Sequence, residues 1–112
     1  MKYNQRSLSM MTDLYQLTMM NNYYTLGRHE DKAVFDVFYR KNTKYLSYNV
    51  FAGLEQVIDY IKELKFTDDD IAYLSSLNLF DKGFLEYLKE FKFSGDIYSM
   101  EEGSIIFPQE PL

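Results

Sequence analysis

Two short stretches of the chain carry side chains whose types and spacing could bind a ligand. The first, "TDLYQ", places Thr12, Asp13 and Tyr15 at the predicted start of a helix, where unpaired backbone N–H groups create positive potential. A tyrosine there can present its ring to a flat ligand, and an aspartate can orient a polar group. Helix capping and core packing explain the same residues without a ligand, and spacing alone favours that explanation.

The second stretch is "FYRKN", in which Arg40 and Lys41 end a segment that is otherwise rich in aromatic residues. A guanidinium group binds phosphate oxygens through two parallel hydrogen bonds, so such a pair suits a phosphate or pyrophosphate group. A solvated strand end is the alternative, and taken alone it is favoured. The two stretches therefore give candidates for binding, and neither is a candidate for catalysis.

Composition excludes most self-contained catalytic sites. The 112 residues include one histidine, no cysteine and five glycines that stand singly, which excludes Cys-His sets and glycine-rich phosphate loops and leaves a single histidine for any Ser-His-Asp set. His29 follows a predicted helix end, where a cation near the last carbonyl groups is an ordinary structural feature. Asp68, Asp69 and Asp70 are predicted to form the first turn of a helix, because their spacing is not that of a calcium loop.

Charge and hydropathy narrow the class of protein. The formal net charge is −5, and the lysines and arginines are scattered along the chain, whereas binding to nucleic acid usually needs a concentrated basic patch. The absence of cysteine fits a reducing compartment. No stretch has the apolar core of a signal peptide or approaches the roughly 18 apolar residues that span a bilayer. The sequence therefore predicts a cytoplasmic protein with neither nucleic acid nor a membrane as partner.

Hydrophobic periodicity and turn signals predict the elements that position these residues. The pattern predicts a helix from about Thr12 to Leu26, which ends at Gly27. Apolar residues surround this helix almost completely, so it is predicted to be buried on two sides. The stretch "KAVFDVFYRK" alternates with period two and predicts a strand with both faces partly covered. The stretch "SYNVFAG" predicts a second short strand, which ends at Gly53.

Three helices are predicted next, and strands return after them. The first helix carries core positions from Leu54 to Leu64 at helical spacing, the second is capped by Thr67, and the third is capped by Asp81. The stretches "DIYSM" and "SIIF" predict two further strands between turn signals. We predict a single α+β domain over residues 1–112, in which short strands pack with a compact cluster of amphipathic helices.

Taken in order, five segments resemble the N-terminal region of nicotinate phosphoribosyltransferases. They are "TDLYQLTM", "AVFDVFYRKN", "FAGLEQVIDYI", "FTDDDIAYL" and "FSGDIYSMEEGSIIFPQEPL". The match runs from about Thr12 to Leu112, and its most specific parts are the first segment and the closing "FPQEPL". The resemblance implies the N-terminal domain of a type II phosphoribosyltransferase, truncated before the α/β barrel that follows this domain in the family.

The resemblance implies an enzyme that joins nicotinate to phosphoribosyl pyrophosphate, giving nicotinate mononucleotide and pyrophosphate for NAD biosynthesis. The resemblance also implies that ATP hydrolysis is coupled to the reaction. ATP and magnesium are therefore implied for the full-length enzyme, and no cofactor is expected on this chain alone. A homodimer with a site shared between subunits is also implied. The family's phosphorylated histidine lies outside this chain, since His29 is not in its motif, and the isolated chain is expected to be inactive.

The same resemblance gives roles to the candidate residues. Tyr15 corresponds to the ring that stacks on the pyridine of nicotinate in a neighbouring subunit, and Asp13 fixes the motif or orients the edge of the ligand. Arg40 resembles the family's basic residue near the phosphates, and Lys41 is a further basic candidate. Two other functions stay open: a free-standing interaction module that binds a full-length phosphoribosyltransferase subunit, and a small-ligand binder, for which the sequence offers no complete pocket.

Overall fold

The computed structural model describes residues 8–112, and these residues divide into two compact units. The helical unit comprises residues 8–32 and 62–93, and the extended unit comprises residues 33–61 and 94–112. The described residues form four helices and one two-stranded sheet, which confirms the α+β class. In chain order the elements are α1 (Leu14–Thr25), β1 (Asn49–Val50), α2 (Leu54–Glu63), α3 (Asp68–Ser76), α4 (Lys82–Lys89) and β2 (Ile105–Ile106).

Side-chain caps fix where two helices of the helical unit begin. Before α3, the Thr67 hydroxyl accepts a hydrogen bond from the Asp70 backbone N–H at 3.2 Å, and the Asp70 carboxylate accepts from the Thr67 N–H at 2.8 Å. Before α4, the Asp81 carboxylate accepts from the Gly83 N–H at 2.8 Å. Each cap satisfies N–H groups that the helix itself leaves unpaired, so both predicted caps are confirmed.

The core of the helical unit forms where α3 and α1 each pack on α4. The prediction that three successive helices form the cluster is wrong, because α1 takes the place of α2, which has no buried residue. Periodicity identified the apolar face of α2 but could not show what covers it. The buried residues of this core are Leu17, Phe66, Ile71, Leu74, Phe84, Leu85 and Leu88.

Helix α1 has the predicted extent but not the predicted burial. Gly27 follows its end with a φ of +69°, the left-handed conformation that glycine adopts without steric cost. Burial on two sides is wrong, since Leu17 is the only buried residue in the helix. Among the described helices and strands α1 packs on α4 alone, so its second apolar stripe, which contains Tyr15, Met19 and Tyr23, is exposed.

The extended unit contains the small sheet. Strands β1 and β2 are antiparallel, with Asn49 opposite Ile106, and the Phe51 N–H donates to the Ser104 carbonyl at 2.8 Å beyond the paired residues. The strands predicted in "SYNVFAG" and "SIIF" are therefore confirmed as short strands. The strand predicted in "DIYSM" is wrong, because the backbone of residues 96–100 forms no hydrogen-bonded ladder with any residue in the described range.

Residues 32–41, the stretch "KAVFDVFYRK", run without a turn or bend but belong to no sheet. Within residues 8–112 their backbone makes two hydrogen bonds: the Tyr39 carbonyl accepts from the Gln109 N–H, and the Val37 carbonyl accepts from the Leu112 N–H, each at 2.9 Å. Two unevenly spaced bonds are not a ladder, so the predicted strand is wrong as a regular element.

The predicted covering of this stretch is also wrong. Phe35 is 88% exposed, and Phe38, which alternation places on the opposite face, is half exposed. The aromatic residues are typical of a strand between two packed layers, but within residues 8–112 neither face is covered.

Helix α2 has the predicted position, and its first turn is held by a residue far along the chain. The Glu102 carboxylate accepts from the Gly53 N–H at 2.7 Å and from the Leu54 N–H at 2.9 Å. The predicted core face is wrong, since Val57 and Ile58 are exposed. Among residues 8–112, none of the helices combines the length and apolar character needed to cross a bilayer.

Candidate functional site

The start of α1 is built by hydrogen bonds within the stretch "TDLYQ". Asp13 is the residue that precedes the helix, and its backbone N–H donates to the Gln16 side-chain oxygen at 3.1 Å. The Thr12 hydroxyl donates to the same oxygen. Gln16 was not among the predicted site residues, although the spacing of aspartate and glutamine three residues apart is typical of a capping box. It therefore positions both Thr12 and Asp13.

Tyr15 points away from the core of the helical unit. Its side chain is 61% exposed, and within residues 8–112 its ring contacts no other aromatic ring and its hydroxyl forms no hydrogen bond. The covered face of α1 is instead the one that carries Leu17. The ring is thus held on a rigid helix with its surface free, which is the arrangement that stacking on a flat ligand needs.

An open depression of 430 Å³ lies at the start of α1. It places Asp13 and Gln16 beside one another, but Tyr15 is not part of its wall. The structure therefore locates Asp13 at a shallow, open surface and the Tyr15 ring outside it. The wall is formed by Met10, Met11, Thr12, Asp13 and Gln16.

Arg40 and Lys41 are exposed, and neither forms an ion pair with a residue in the described part of the chain. The backbone beside them is anchored on both sides. The Tyr39 hydroxyl lies 3.0 Å from both the Asn42 side-chain oxygen and the Ile106 carbonyl, and the Asn42 amide donates to the Ser47 carbonyl at 2.9 Å. Sequence reasoning did not assign a role to Asn42, whose polar side chain next to the basic pair was the available signal.

His29 lies at the edge of the helical core. Its ring centroid is 4.9 Å from that of Tyr24 and 5.1 Å from that of Tyr87, and its Nε2 atom is 3.8 Å from a Glu30 carboxylate oxygen. Its Nδ1 atom is buried and has no hydrogen-bond partner within residues 8–112. These contacts are those of a packing residue and place His29 in no candidate site.

The two candidate regions offer side chains of the kinds that suit ligand binding. Tyr15 and Asp13 belong to the helical unit, and Arg40 and Lys41 belong to the extended unit. An exposed ring suits a planar heteroaromatic ligand, and an unpaired guanidinium suits phosphate oxygens. Residues 8–112 contain no group of three or more histidine, aspartate or glutamate side chains that could hold a metal ion.

Comparison with known proteins gives these features a context. Residues 10–112 match the model of the nicotinate phosphoribosyltransferase (NAPRTase) N-terminal domain. The chain belongs to the nicotinate phosphoribosyltransferase family. Its candidate residues Asp13, Tyr15, Arg40 and Lys41 all lie within the range that matches the family's N-terminal domain.

Individual members of the family are similar over nearly the whole chain. The chain is 44% identical to the nicotinate phosphoribosyltransferase of Bacillus subtilis over 110 residues, which is 98% of this chain and 22% of that protein. It is 37% identical to nicotinate phosphoribosyltransferase 2 of Arabidopsis thaliana over 92% of its length, and 33% identical to the Bos taurus protein over 92%. The matched regions make up 19% and 20% of those two proteins, so the chain spans about a fifth of these relatives.

Proposed function

We propose that this chain is the N-terminal part of an enzyme that joins nicotinate to phosphoribosyl pyrophosphate, forming nicotinate mononucleotide and pyrophosphate for NAD biosynthesis in the cytoplasm. The observation that carries this proposal is the exposed Tyr15 ring, held on α1 within a domain that matches the family over residues 10–112. A ligand with a flat aromatic ring is what this surface is suited to bind.

In this proposal Tyr15 stacks on the pyridine ring of nicotinate. Aromatic stacking fixes the plane of the ligand, and the reacting ring nitrogen must be held in line with the ribose carbon for the new bond to form. The helix supplies the rigidity, because the capping hydrogen bonds of Gln16 fix its first turn. Asp13 fixes this turn or orients the edge of the ligand from the depression that it lines.

Arg40 is the residue we assign to the phosphate groups, with Lys41 as a second positive charge beside it. Pyrophosphate leaves as an anion, and a guanidinium positioned in advance offsets the negative charge that develops on it. Tyr39 and Asn42 anchor the backbone on either side. A basic pair that is held in position requires such anchoring, whereas a freely solvated strand end does not require it.

We further propose that the reaction needs the α/β barrel of a type II phosphoribosyltransferase, and that the isolated chain is inactive. Its candidate residues are assigned to ring stacking, ligand orientation and positive charge, and none of them is assigned to acid, base or nucleophilic catalysis. We propose that the full-length enzyme is a homodimer with shared sites and couples the reaction to ATP hydrolysis. ATP and magnesium are assigned no ligand within residues 8–112.

The decisive experiment substitutes Tyr15 in a full-length enzyme that contains this domain. Tyr15→Ala is expected to reduce kcat/KM for nicotinate by the equivalent of roughly 1–3 kcal/mol, the range measured for loss of base–aromatic stacking, whereas Tyr15→Phe keeps the ring and most of the activity. Tyr23→Ala is the matched control, because Tyr23 is an exposed tyrosine on the same helix. Wild-type kinetics in Tyr15→Ala would refute the assigned role.

Arg40 is tested with the other substrate. Arg40→Ala is expected to lower kcat/KM for phosphoribosyl pyrophosphate far more than it changes KM for nicotinate, and Arg40→Lys is expected to restore part of the loss because the charge returns without the bidentate geometry. Lys44→Ala removes a nearby positive charge and serves as the control. An unchanged response to phosphoribosyl pyrophosphate would leave Arg40 as a surface residue.

The second candidate function is an interaction module that binds a full-length phosphoribosyltransferase subunit. The exposed apolar stripe of α1 favours it, because Tyr15, Met19 and Tyr23 form a surface of the kind that proteins use for association. A titration of this chain against the full-length enzyme tests it, and no binding at high micromolar concentration would refute it. Calorimetric titration of the isolated chain with nicotinate tests the small-ligand binder, for which a flat titration is expected.

A further inference from the structure

Asn21 is a residue of α1 whose side chain bonds to the start of a different helix. Its side-chain oxygen accepts a hydrogen bond from the Asp81 backbone N–H at 2.9 Å, between residues that are 60 positions apart in the sequence. Within residues 8–112, no other hydrogen bond joins α1 to α4 or to the residue that caps α4. Asn21 therefore supplies a directional contact between these two helices.

The bond ends at a residue that is itself held in place. The Asp81 carboxylate caps α4 by accepting from the Gly83 N–H at 2.8 Å and from the Phe84 N–H at 3.3 Å. The Asp81 N–H precedes the helix and has no acceptor within it, so Asn21 satisfies a donor that α4 leaves free. Because Phe84 is buried in the core, the start of α4 gives α1 a firm point of attachment.

The apolar contact between α1 and α4 does less to set the rotation of α1. Leu17 is the only buried residue of this helix, and Met20 and Tyr24 are partly buried beside it. Hydrophobic burial has no preferred direction, whereas a hydrogen bond weakens steeply when the donor and the acceptor lose their alignment. The bond from Asn21 therefore restricts rotation of α1 about its own axis more strictly than the apolar contact does.

The rotation of α1 in turn sets the position of the Tyr15 ring. Asn21 lies six residues after Tyr15, which is about 9 Å along the axis and on a different face of the helix. A rotation of roughly 10° moves a group at the outer radius of a helix, about 6 Å from the axis, by about 1 Å. A misplacement of about 1 Å can cost roughly a hundredfold in the rate of a reaction between bound groups.

We propose that Asn21 is a positioning residue, which fixes the rotation of α1 and thereby the plane in which the Tyr15 ring meets the pyridine of nicotinate. This inference rests on the proposed function, since it takes Tyr15 as the stacking residue. Asn21 touches no substrate in this proposal and acts only through α1. Its substitution should therefore affect the reaction only while the Tyr15 ring is present.

A double-mutant cycle in a full-length enzyme that contains this domain tests the inference. Asn21→Ala is expected to lower kcat/KM for nicotinate by roughly tenfold when Tyr15 is present, because the ring is misplaced but not lost. In the Tyr15→Ala background the same change is expected to cost less than about twofold, the margin within which independent changes add. A loss of folded enzyme would instead lower kcat equally in both backgrounds, so the cycle separates positioning from stability.

Asn22→Ala is the matched control. It makes the same change at the next residue of α1, which is exposed and whose side chain forms no hydrogen bond within residues 8–112. Asn22→Ala is expected to leave kcat/KM within about twofold of the wild-type value. If Asn21→Ala does not fold, Asn21→Ser withdraws the acceptor by means of a shorter side chain, and the same cycle applies.

The outcomes distinguish this inference from the function on which it rests. The positioning role would be overturned if Asn21→Ala behaved like Asn22→Ala, or if it cost as much without the Tyr15 ring as with it. The stacking role is read from a separate variant: wild-type kinetics in Tyr15→Ala would refute that role and this inference together.

Discussion

The helical and extended units contain similar apolar side chains but bury them very differently. Phe84, in the helical unit, is 1% exposed, whereas Phe35, in the extended unit, is 88% exposed. Three helices of the helical unit cover one another's apolar faces. In the extended unit the sheet has only two residues in each strand. An amphipathic pattern shows which face can be buried, and burial itself requires a second surface within reach.

The two units also differ in how far apart in sequence their stabilising contacts lie. The caps of α3 and α4 join residues two or three positions apart. In the extended unit, the cap of α2 joins Gly53 to Glu102, and β1 pairs with β2. The helical unit can therefore form its first turns locally, while the extended unit depends on contacts between distant parts of the chain.

The largest expected effect comes from removing one phenylalanine ring in each unit. Phe84→Ala is expected to reduce the free energy of unfolding by about 3–5 kcal/mol, because it leaves a cavity in the core, whereas Phe35→Ala is expected to change it by less than about 0.5 kcal/mol. Urea unfolding followed by helical circular dichroism at low protein concentration measures both. Equal losses in the two variants would contradict the difference in packing.

The tightness of the helical core is tested at Gly83. A Cβ atom added there would lie 2.9 Å from the Tyr24 hydroxyl oxygen and 3.0 Å from an Asp81 carboxylate oxygen. Overpacking costs about 1–3 kcal/mol, and the better helix propensity of alanine offsets about 1 kcal/mol of it. Gly83→Ala is therefore expected to destabilise the helical unit by about 1 kcal/mol in urea unfolding.

A double variant identifies the cause of that loss. Adding Tyr24→Phe removes the oxygen nearest the new methyl group, so it should recover part of the stability lost in Gly83→Ala. If Gly83→Ala proves more stable than the wild type, the space between α1 and α4 is looser than the structure shows.

The helix caps offer a comparison of local and distant contacts. Asp81→Ala is expected to cost about 1 kcal/mol of unfolding free energy because two N–H groups at the start of α4 lose their acceptor. Glu102→Ala is expected to act locally, speeding amide hydrogen exchange at Gly53 and Leu54 by roughly fivefold, the equivalent of about 1 kcal/mol. Glu101→Ala is the control, and equal exchange in the two glutamate variants would refute the cap.

The smallest effect concerns pH. Burial, and after it the nearby Glu30 carboxylate, raises the pKa of the Tyr87 phenol above its ordinary value of 10.0. The unfolded chain therefore loses this proton first as the pH rises, so the stabilisation is complete below pH 10 and is lost as the pH passes through the folded pKa. Urea midpoints should fall above pH 10, less steeply in Tyr87→Phe than in the wild type.

Tyr73→Phe is the control for this measurement, since Tyr73 is exposed on α3. The Glu86 carboxylate raises the pKa of Lys89 above 10.5 by hydrogen bonding, but this group is common to all three proteins. An identical slope in the wild type and in Tyr87→Phe would show that the Tyr87 phenol has the same pKa in both states.

Local signals in the sequence predicted the four helices and the two short strands, but they did not predict which segments pack or pair with one another. The caps Thr67 and Asp81 are recognisable because the cap and its partner lie within one turn. The exposure of Val57 in α2 was not predictable, since periodicity reports only that one face is apolar. The stretch of residues 32–41 has the alternation of a strand, but a strand requires a neighbouring backbone, which no local pattern encodes.

The candidate site was predictable to the same degree. Asp13 and Tyr15 are at the helix start where the sequence placed them, because capping chemistry is local. Asp13 lines the depression, whereas the Tyr15 ring lies outside it. This difference depends on which face of α1 packs on α4, and that packing is a tertiary contact that the sequence pattern does not show. Asn42 was missed for a similar reason, since its partners Tyr39 and Ser47 become evident only once the chain has turned.

The hydrogen bonds from Gly53 and Leu54 to Glu102 also have a consequence for synthesis on the ribosome. A chain made from its N-terminus has completed α1, α3 and α4 before Glu102 exists, so the helical core can assemble first. Until residues 102–106 have emerged, the Gly53 and Leu54 N–H groups at the start of α2 lack their Glu102 acceptor, and β1 lacks its partner strand β2. We therefore expect a released chain that ends just before Glu102 to protect the Leu88 amide from hydrogen exchange and to leave the Leu54 amide unprotected.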